Sequence, residues 1–153
     1  MIEWQWVAFS ELTADALYQV LRLRQNVFIV EQDCIYEDID GVDKHAKHLL
    51  GWQTGISGKH VLSAYLRVFE PGFKYEEASI GRVVIDAENR ATGLGKKILA
   101  KAISLIHEEF PSTPIKISAQ LHLESFYVAY GFERVSAPYD EDGIMHVDML
   151  KAC

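Results

Sequence analysis

Three cations, two glycines and no acid fill the segment Arg90-Ala91-Thr92-Gly93-Leu94-Gly95-Lys96-Lys97, in a chain of formal net charge −7. It follows an apolar run, Ile80-Gly81-Arg82-Val83-Val84-Ile85, and leads into a helical pattern. Lysines at a helix start are unfavourable by about 0.3–1 kcal/mol each, because free N–H groups and the positive dipole end already sit there. An arriving anion reverses that sign, and glycines let the backbone approach it closely. The segment reads as a pyrophosphate-binding loop.

Two other nucleotide loops fail on residue type. A P-loop needs glycine where Arg90 stands and Ser or Thr where Lys97 stands. A dinucleotide fingerprint needs its third glycine at Ile98 and a tighter strand-to-helix turn. An ordinary glycine turn ahead of an amphipathic helix remains as the alternative.

Other chemistry-bearing residues are scattered. Tyr127 stands among Phe126, Tyr130 and Phe132, where packing is one role and proton donation another. Arg24 falls on the apolar stripe of the first helix, so its charge needs a partner, and Asp38, Asp40 or Asp43 can supply one. Asp43, His45 and His48 have a metal-compatible spacing but neither an EF-hand pattern nor a fourth ligand, so no metal is expected. Cys34 lacks a histidine neighbour that would activate it as a nucleophile.

The elements that hold these residues follow from periodicity. Residues 2–9, 48–53, 61–69, 78–85 and 115–119 read as strands, and 132–135 with 145–150 as a closing pair across an Asp140-Glu141-Asp142-Gly143 turn. A first helix, capped at Ser10 or Thr13, presents Leu17, Val20, Leu21, Arg24, Val27 and Phe28 on one face. A second helix runs from Gly93 to about Glu109 and stops at Pro111 and Pro114. A short third helix spans 121–130, with Gly131 closing it. Residues 31–47 are acidic and irregular, and read as an ordered loop. Alternating elements on a mixed sheet indicate an α/β or α+β domain over residues 1–153.

Bulk properties narrow the class. A chain of 153 residues can bury roughly 70% of its unfolded surface without staples. Its acidity argues against nonspecific nucleic-acid or membrane-surface binding. No signal peptide and no long apolar span are visible, and Cys34 and Cys153 are too few for a disulfide framework, so a cytoplasmic protein is expected.

Arg90-x-x-Gly93-x-Gly95 after a strand resembles motif A of the GNAT superfamily of acyl-CoA-dependent N-acyltransferases. Phe126-Tyr127-Val128-Ala129-Tyr130-Gly131-Phe132 resembles their motif B, and the element order agrees over nearly the whole chain. Arg24-x-x-Val27-Phe28-x-Val30-Glu31-Gln32, Tyr36-x-Asp38-x-Asp40-Gly41, Gly81-Arg82-Val83, Ala119-Gln120 and Asp140-Glu141-Asp142-Gly143 are similar to the bacterial ElaA family. Ile35 departs from the proline expected there, which bears on loop shape.

The resemblance implies a GNAT fold: a mixed, mostly antiparallel sheet of about six to seven strands, splayed between 80–85 and 115–119. It implies that main-chain groups of Val83, Val84 and Ile85 pair with pantetheine. The backbone of Arg90, Ala91, Thr92, Gly93, Leu94, Gly95 and Lys96 then holds the diphosphate. Tyr127 takes the general-acid position at the departing thiolate. Glu31 and His122 are base candidates beside a water relay, and Arg24, Gln32, His48, Arg67 and Arg82 are candidates for the acceptor cleft. The implied reaction is acetyl transfer from acetyl-CoA to a primary amine of a small molecule or peptide by direct attack, without metal, nucleic acid or membrane; a homodimer is left open. A non-catalytic acyl-CoA sensor is the rival. Acyl-homoserine-lactone synthesis is a further one, since Arg24-x-x-Val27-Phe28-x-x-Glu31 is similar to that family too.

Overall fold

Apolar runs and alternating segments build eight strands, which a computed structural model describing all of residues 1–153 joins in one sheet, β1-β2-β3-β4-β5-β8-β6, with β7 paired to β8. The strands are β1 Ile2–Ala8, β2 Lys47–Thr54, β3 His60–Phe69, β4 Ala78–Ile85, β5 Ile115–Gln120, β6 Phe132–Arg134, β7 Tyr139–Glu141 and β8 Ile144–Lys151. The helices are α1 Ala14–Arg24, α2 Leu94–Glu109 and α3 Glu124–Val128. The sheet has eight strands rather than the six to seven expected, because β7 occupies residues read as turn. The hairpin across Asp142 and Gly143 therefore joins β7 to β8, while β6 pairs further along the same edge of β8, opposite β5. The third helix is also shorter than expected, since Leu121–Leu123 form a tight 3₁₀ turn before it. The chain groups into two compact units, residues 1–68 with 82–102 and residues 69–81 with 103–153.

In the first unit, β1 and β2 pair antiparallel from Ile2–Gln53 to Ala8–Lys47, and β2 pairs with β3 across a register shift at Gly51 and Trp52. Gly51 is required there: a Cβ would stand 2.8 Å from the Trp4 ring. Thr13 caps α1 by accepting from the Ala16 N–H at 3.1 Å, which satisfies one of the helix's free donors. Past Arg24 the helix widens into a π-helical stretch, Gln25–Glu31, carrying Val27 and Phe28 inward. Ala16, Val20, Leu23, Val27, Phe28, Leu50, Leu62, Tyr65 and Val84 form this unit's apolar core.

In the second unit, Ile115, Ile117 and Ala119 of β5 are buried while Lys116, Ser118 and Gln120 alternate outward. β5 and β8 pair antiparallel from Ile115–Lys151 to Gln120–His146. β4 runs parallel to β5 but registers with it only at Ala78–Ile115 and Ser79–Lys116, which leaves Ile80 and Gly81 without a partner on β5. No helix is long and apolar enough to cross a membrane.

Candidate functional site

The loop entering α2 has the backbone that anion binding asks for. Ala87–Asn89 make a 3₁₀ turn, after which φ is +63° at Ala91 and +84° at Gly93 while Thr92 between them is not left-handed. Such alternation turns successive N–H groups toward one side and forms a nest for an anion. Thr92 Oγ1 donates to the Asn89 carbonyl at 2.5 Å, which pins the turn. The Lys97 N–H bonds the Gly93 carbonyl at 3.2 Å, so the hydrogen-bond ladder of α2 reaches back to Gly93. Nothing lies within 4 Å of a Cβ placed on Gly93, so its requirement for glycine is conformational rather than steric.

Arg90 is already engaged at this loop. Its Nη1 donates to Glu31 Oε2 at 2.6 Å, and its Nη2 lies 3.4 Å from the Ile85 carbonyl oxygen. Glu31, a base candidate from the sequence, thus sits in an ion pair with the loop's leading cation. Both are well exposed, so the pair contributes little by itself and is exchangeable.

Three arginines and three aspartates form one ionic array, with Arg24, Arg67, Asp38 and Asp43 buried and Arg82 and Asp40 at its more exposed edge. Arg24, fully buried, donates through Nε to Asp38 Oδ2 at 2.9 Å, through Nη1 to Asp43 Oδ1 at 2.7 Å, and through Nη2 to the Asp38 carbonyl at 2.6 Å. Arg67 donates from Nη1 to Asp43 Oδ1 at 2.8 Å and from Nη2 to Asp40 Oδ2 at 2.5 Å. Arg82 reaches the same aspartates: its Nε is 2.8 Å from Asp38 Oδ1, and its Nη2 is 3.3 Å from Asp40 Oδ2 and 3.2 Å from the Asp38 carbonyl. The Arg82 guanidinium also lies 5.7 Å from the centroid of the Tyr36 ring.

Burial disfavours every charge here, yet mutual pairing overrides it. Burial opposes the Arg24 and Arg67 charges, but the aspartates hold both pKa values above the ordinary arginine value. Burial would raise Asp40, but Arg67 and then Arg82 hold it down at about 2. Asp43 is lowered too, with Arg24 and Arg67 outweighing its burial. His48 is fixed as a neutral ring: Nε2 is 2.9 Å from the Asp43 carbonyl, which only accepts, so Nδ1 accepts from Tyr65 Oη at 2.7 Å. Burial, aided by Arg24 and Arg67, pushes its pKa down. Both ring nitrogens are engaged, which leaves His48 no lone pair for a metal.

An acid-stability prediction follows from these directions. A carboxylate whose folded pKa is depressed stabilises the fold above its unfolded pKa and loses that contribution as pH falls through the folded value. With Asp40 near 2 and ordinary aspartate near about 3.9, Tm is expected to fall between about pH 4 and pH 2. Thermal melts across that range check this: Asp40→Asn should flatten part of the decline, and an unchanged slope would exclude Asp40 from it.

The remaining sequence candidates lie apart from this array. His122 is exposed on the 3₁₀ turn before α3, Gln32 is half-buried, and Cys34 is buried. Tyr127, in the second unit, is 7% exposed and packs edge-on against Phe126 and Phe132. Burial alone raises its phenol to about 12.

Sequence reasoning missed a second polar chain. Tyr139 Oη donates to Asp148 Oδ1 at 2.6 Å and hydrogen-bonds Ser118 Oγ, with His146 stacked on its ring. Ser118 and Asp148 are cross-strand neighbours, but only the tertiary position of Tyr139 links them.

A family model described as an acetyltransferase (GNAT) domain matches residues 25–153. The chain belongs to the GNAT acetyltransferase family. This GNAT protein is 42% identical over 149 residues to a UPF0039 protein of Synechocystis, covering 97% of this chain and 94% of that one. It is 39% identical to ElaA of Escherichia coli over 153 residues, 99% of this chain and 97% of that one. The E. coli ElaA crystal structure superposes with a TM-score of 0.89 at 38% identity, covering 99% of each chain. An acyl-CoA N-acyltransferase from Pseudomonas aeruginosa superposes with a TM-score of 0.91 at 37% identity, over 99% of this chain and 100% of that one. The GNAT family uses acyl-CoA.

Proposed function

We propose that this protein is a cytoplasmic acetyl-CoA-dependent N-acetyltransferase, working as one domain over residues 1–153, with a primary amine of a small molecule or peptide as acceptor. The observation that carries the reading is the left-handed pair at Ala91 and Gly93 opening α2, beside Arg90 and Lys96. Main-chain N–H groups of residues 91–96 hold the diphosphate, and Arg90 exchanges Glu31 for it. Val83, Val84 and Ile85 pair through their main chain with the pantetheine arm, as an added strand would.

The acceptor nitrogen attacks the thioester carbonyl carbon directly. A C–N bond forms, the C–S bond breaks, the amine proton passes to water, and sulfur leaves as a thiolate hydrogen-bonded by the Tyr127 phenol. Arg24, His48 and Arg67 have protein partners on all the sides described above, so their part is to set the wall of the site rather than to touch the acceptor.

Titration with CoA by calorimetry, followed by thiol-release assays with acetyl-CoA and a panel of polyamines, amino sugars and lysine peptides, tests the reading. Micromolar binding and amine-dependent thiol release are expected. Tight binding without release by any amine would favour the sensor instead, and no association at millimolar CoA would end both.

A further inference from the structure

The left-handed residue of β4 is not its glycine. Arg82 has φ of +52°, whereas Gly81, which adopts such values freely, lies outside the left-handed region. A side chain at positive φ is strained and persists only where surrounding contacts over-determine it. Those contacts are present: Arg82 is held by the Asp38 carboxylate and carbonyl, by the Asp40 carboxylate, and over the Tyr36 ring. The anchor is itself rigid, because Asp38 also holds Arg24 and Asp40 also holds Arg67, and those two arginines share Asp43. A left-handed residue in mid-strand bends the strand and re-aims the groups beyond it. Beyond it lie Val83, Val84 and Ile85.

We propose that Arg82 is a positioning residue. Its side chain, clamped by Asp38, Asp40 and Tyr36, holds the β4 backbone in the bend that aims the Val83–Ile85 main chain at the pantetheine of acyl-CoA. The inference rests on the acyl-CoA reading of residues 83–96. It explains why arginine stands where backbone strain alone would select glycine. The side chain is retained for its grip, and the strain is relieved by three charge-assisted contacts that a glycine cannot make.

Two substitutions separate grip from strain. Arg82→Ala removes the clamp and leaves the conformation disfavoured; Arg82→Gly removes the clamp but tolerates positive φ about as readily as negative. Both lose the same ion pairs, so general destabilisation affects them alike and their contrast is the measurement. Crystal structures of the two unliganded variants are expected to show residue 82 extended in Arg82→Ala and left-handed in Arg82→Gly. Calorimetry with CoA is expected to show binding weakened about tenfold in Arg82→Ala, or about 1.4 kcal/mol, and within about threefold of wild type in Arg82→Gly. A φ that stays near +52° in Arg82→Ala would overturn the clamp. So would equal CoA affinity in Arg82→Ala and wild type, or an Arg82→Gly variant as weak as Arg82→Ala. Wild-type protein that binds no CoA would instead sink the acyl-CoA reading, while φ at position 82 would still decide whether the side chain holds the bend.

Discussion

Replacing Tyr127 by Phe is expected to lower kcat for amine-dependent thiol release by about 10²–10³-fold, with KM for acetyl-CoA nearly unchanged. The reason lies in the acidity of the two groups. Burial pushes the Tyr127 phenol up to about 12, whereas an ordinary thiol titrates near about 8.5. The phenol is thus weaker than the departing thiol by several powers of ten, and outright proton transfer to sulfur runs uphill. What the phenol can do is donate a hydrogen bond that strengthens as negative charge collects on sulfur, an interaction made in the transition state and absent in the ground state. Removing it should therefore affect kcat rather than binding. The substitution deletes one oxygen from a side chain packed on Phe126 and Phe132, so the fold should survive, which a melt in parallel would verify. A variant that keeps wild-type kcat would return Tyr127 to a packing role and leave the leaving group to solvent.

Arg24→Met is expected to destabilise the protein by about 3–5 kcal/mol, the largest stability effect of any single surface-independent change at this site. Arg24 has no exposed surface, and its loss would leave Asp38 and part of Asp43 buried against fewer cations. Removing one member of a buried ionic set leaves the others desolvated and unpaired, and that penalty exceeds the value of the pair itself. For a chain of this length Tm shifts by about 2–4 °C per kcal/mol, so a fall of about 10 °C is expected in a thermal melt. A role in touching the acceptor would give the opposite pattern: Tm unchanged and KM for the amine raised. Arg82, at 22% side-chain exposure, should be less costly to remove than Arg24.

Residues 90–96 stand out in the sequence because their information is local. Arg90, Gly93, Gly95 and Lys96 lie within one turn of backbone, and glycine placement, helix-start polarity and charge act over that distance. The same holds for β5, whose burial alternates with the pleat, for β3, whose apolar run is buried throughout, and for Thr13 as the cap of α1. Asp140 and Glu141 read as turn in the sequence because the three residues of β7 carry too little periodicity to announce a strand, and their state depends on pairing with β8. The strained residue of β4 was hidden behind its neighbour, since Gly81 is where a reader looks for positive φ and Arg82 is where it occurs.

Residue order thus dictated the family and the succession of elements, which follow from short-range backbone preference and the period of burial. Which aspartate meets which arginine was open until the chain closed. Arg24 stands 14 residues from Asp38 and 19 from Asp43, while Arg67 stands 27 from Asp40 and Arg82 stands 42 from it. Pairing at such separations is selected by desolvation: once packing buries the Arg24 and Arg67 guanidiniums and half-buries that of Arg82, only the arrangement that gives each a carboxylate is low in free energy. That selection joins Arg24, Arg67 and Arg82, which the sequence offers as candidates for the acceptor cleft, to Asp38, Asp40 and Asp43.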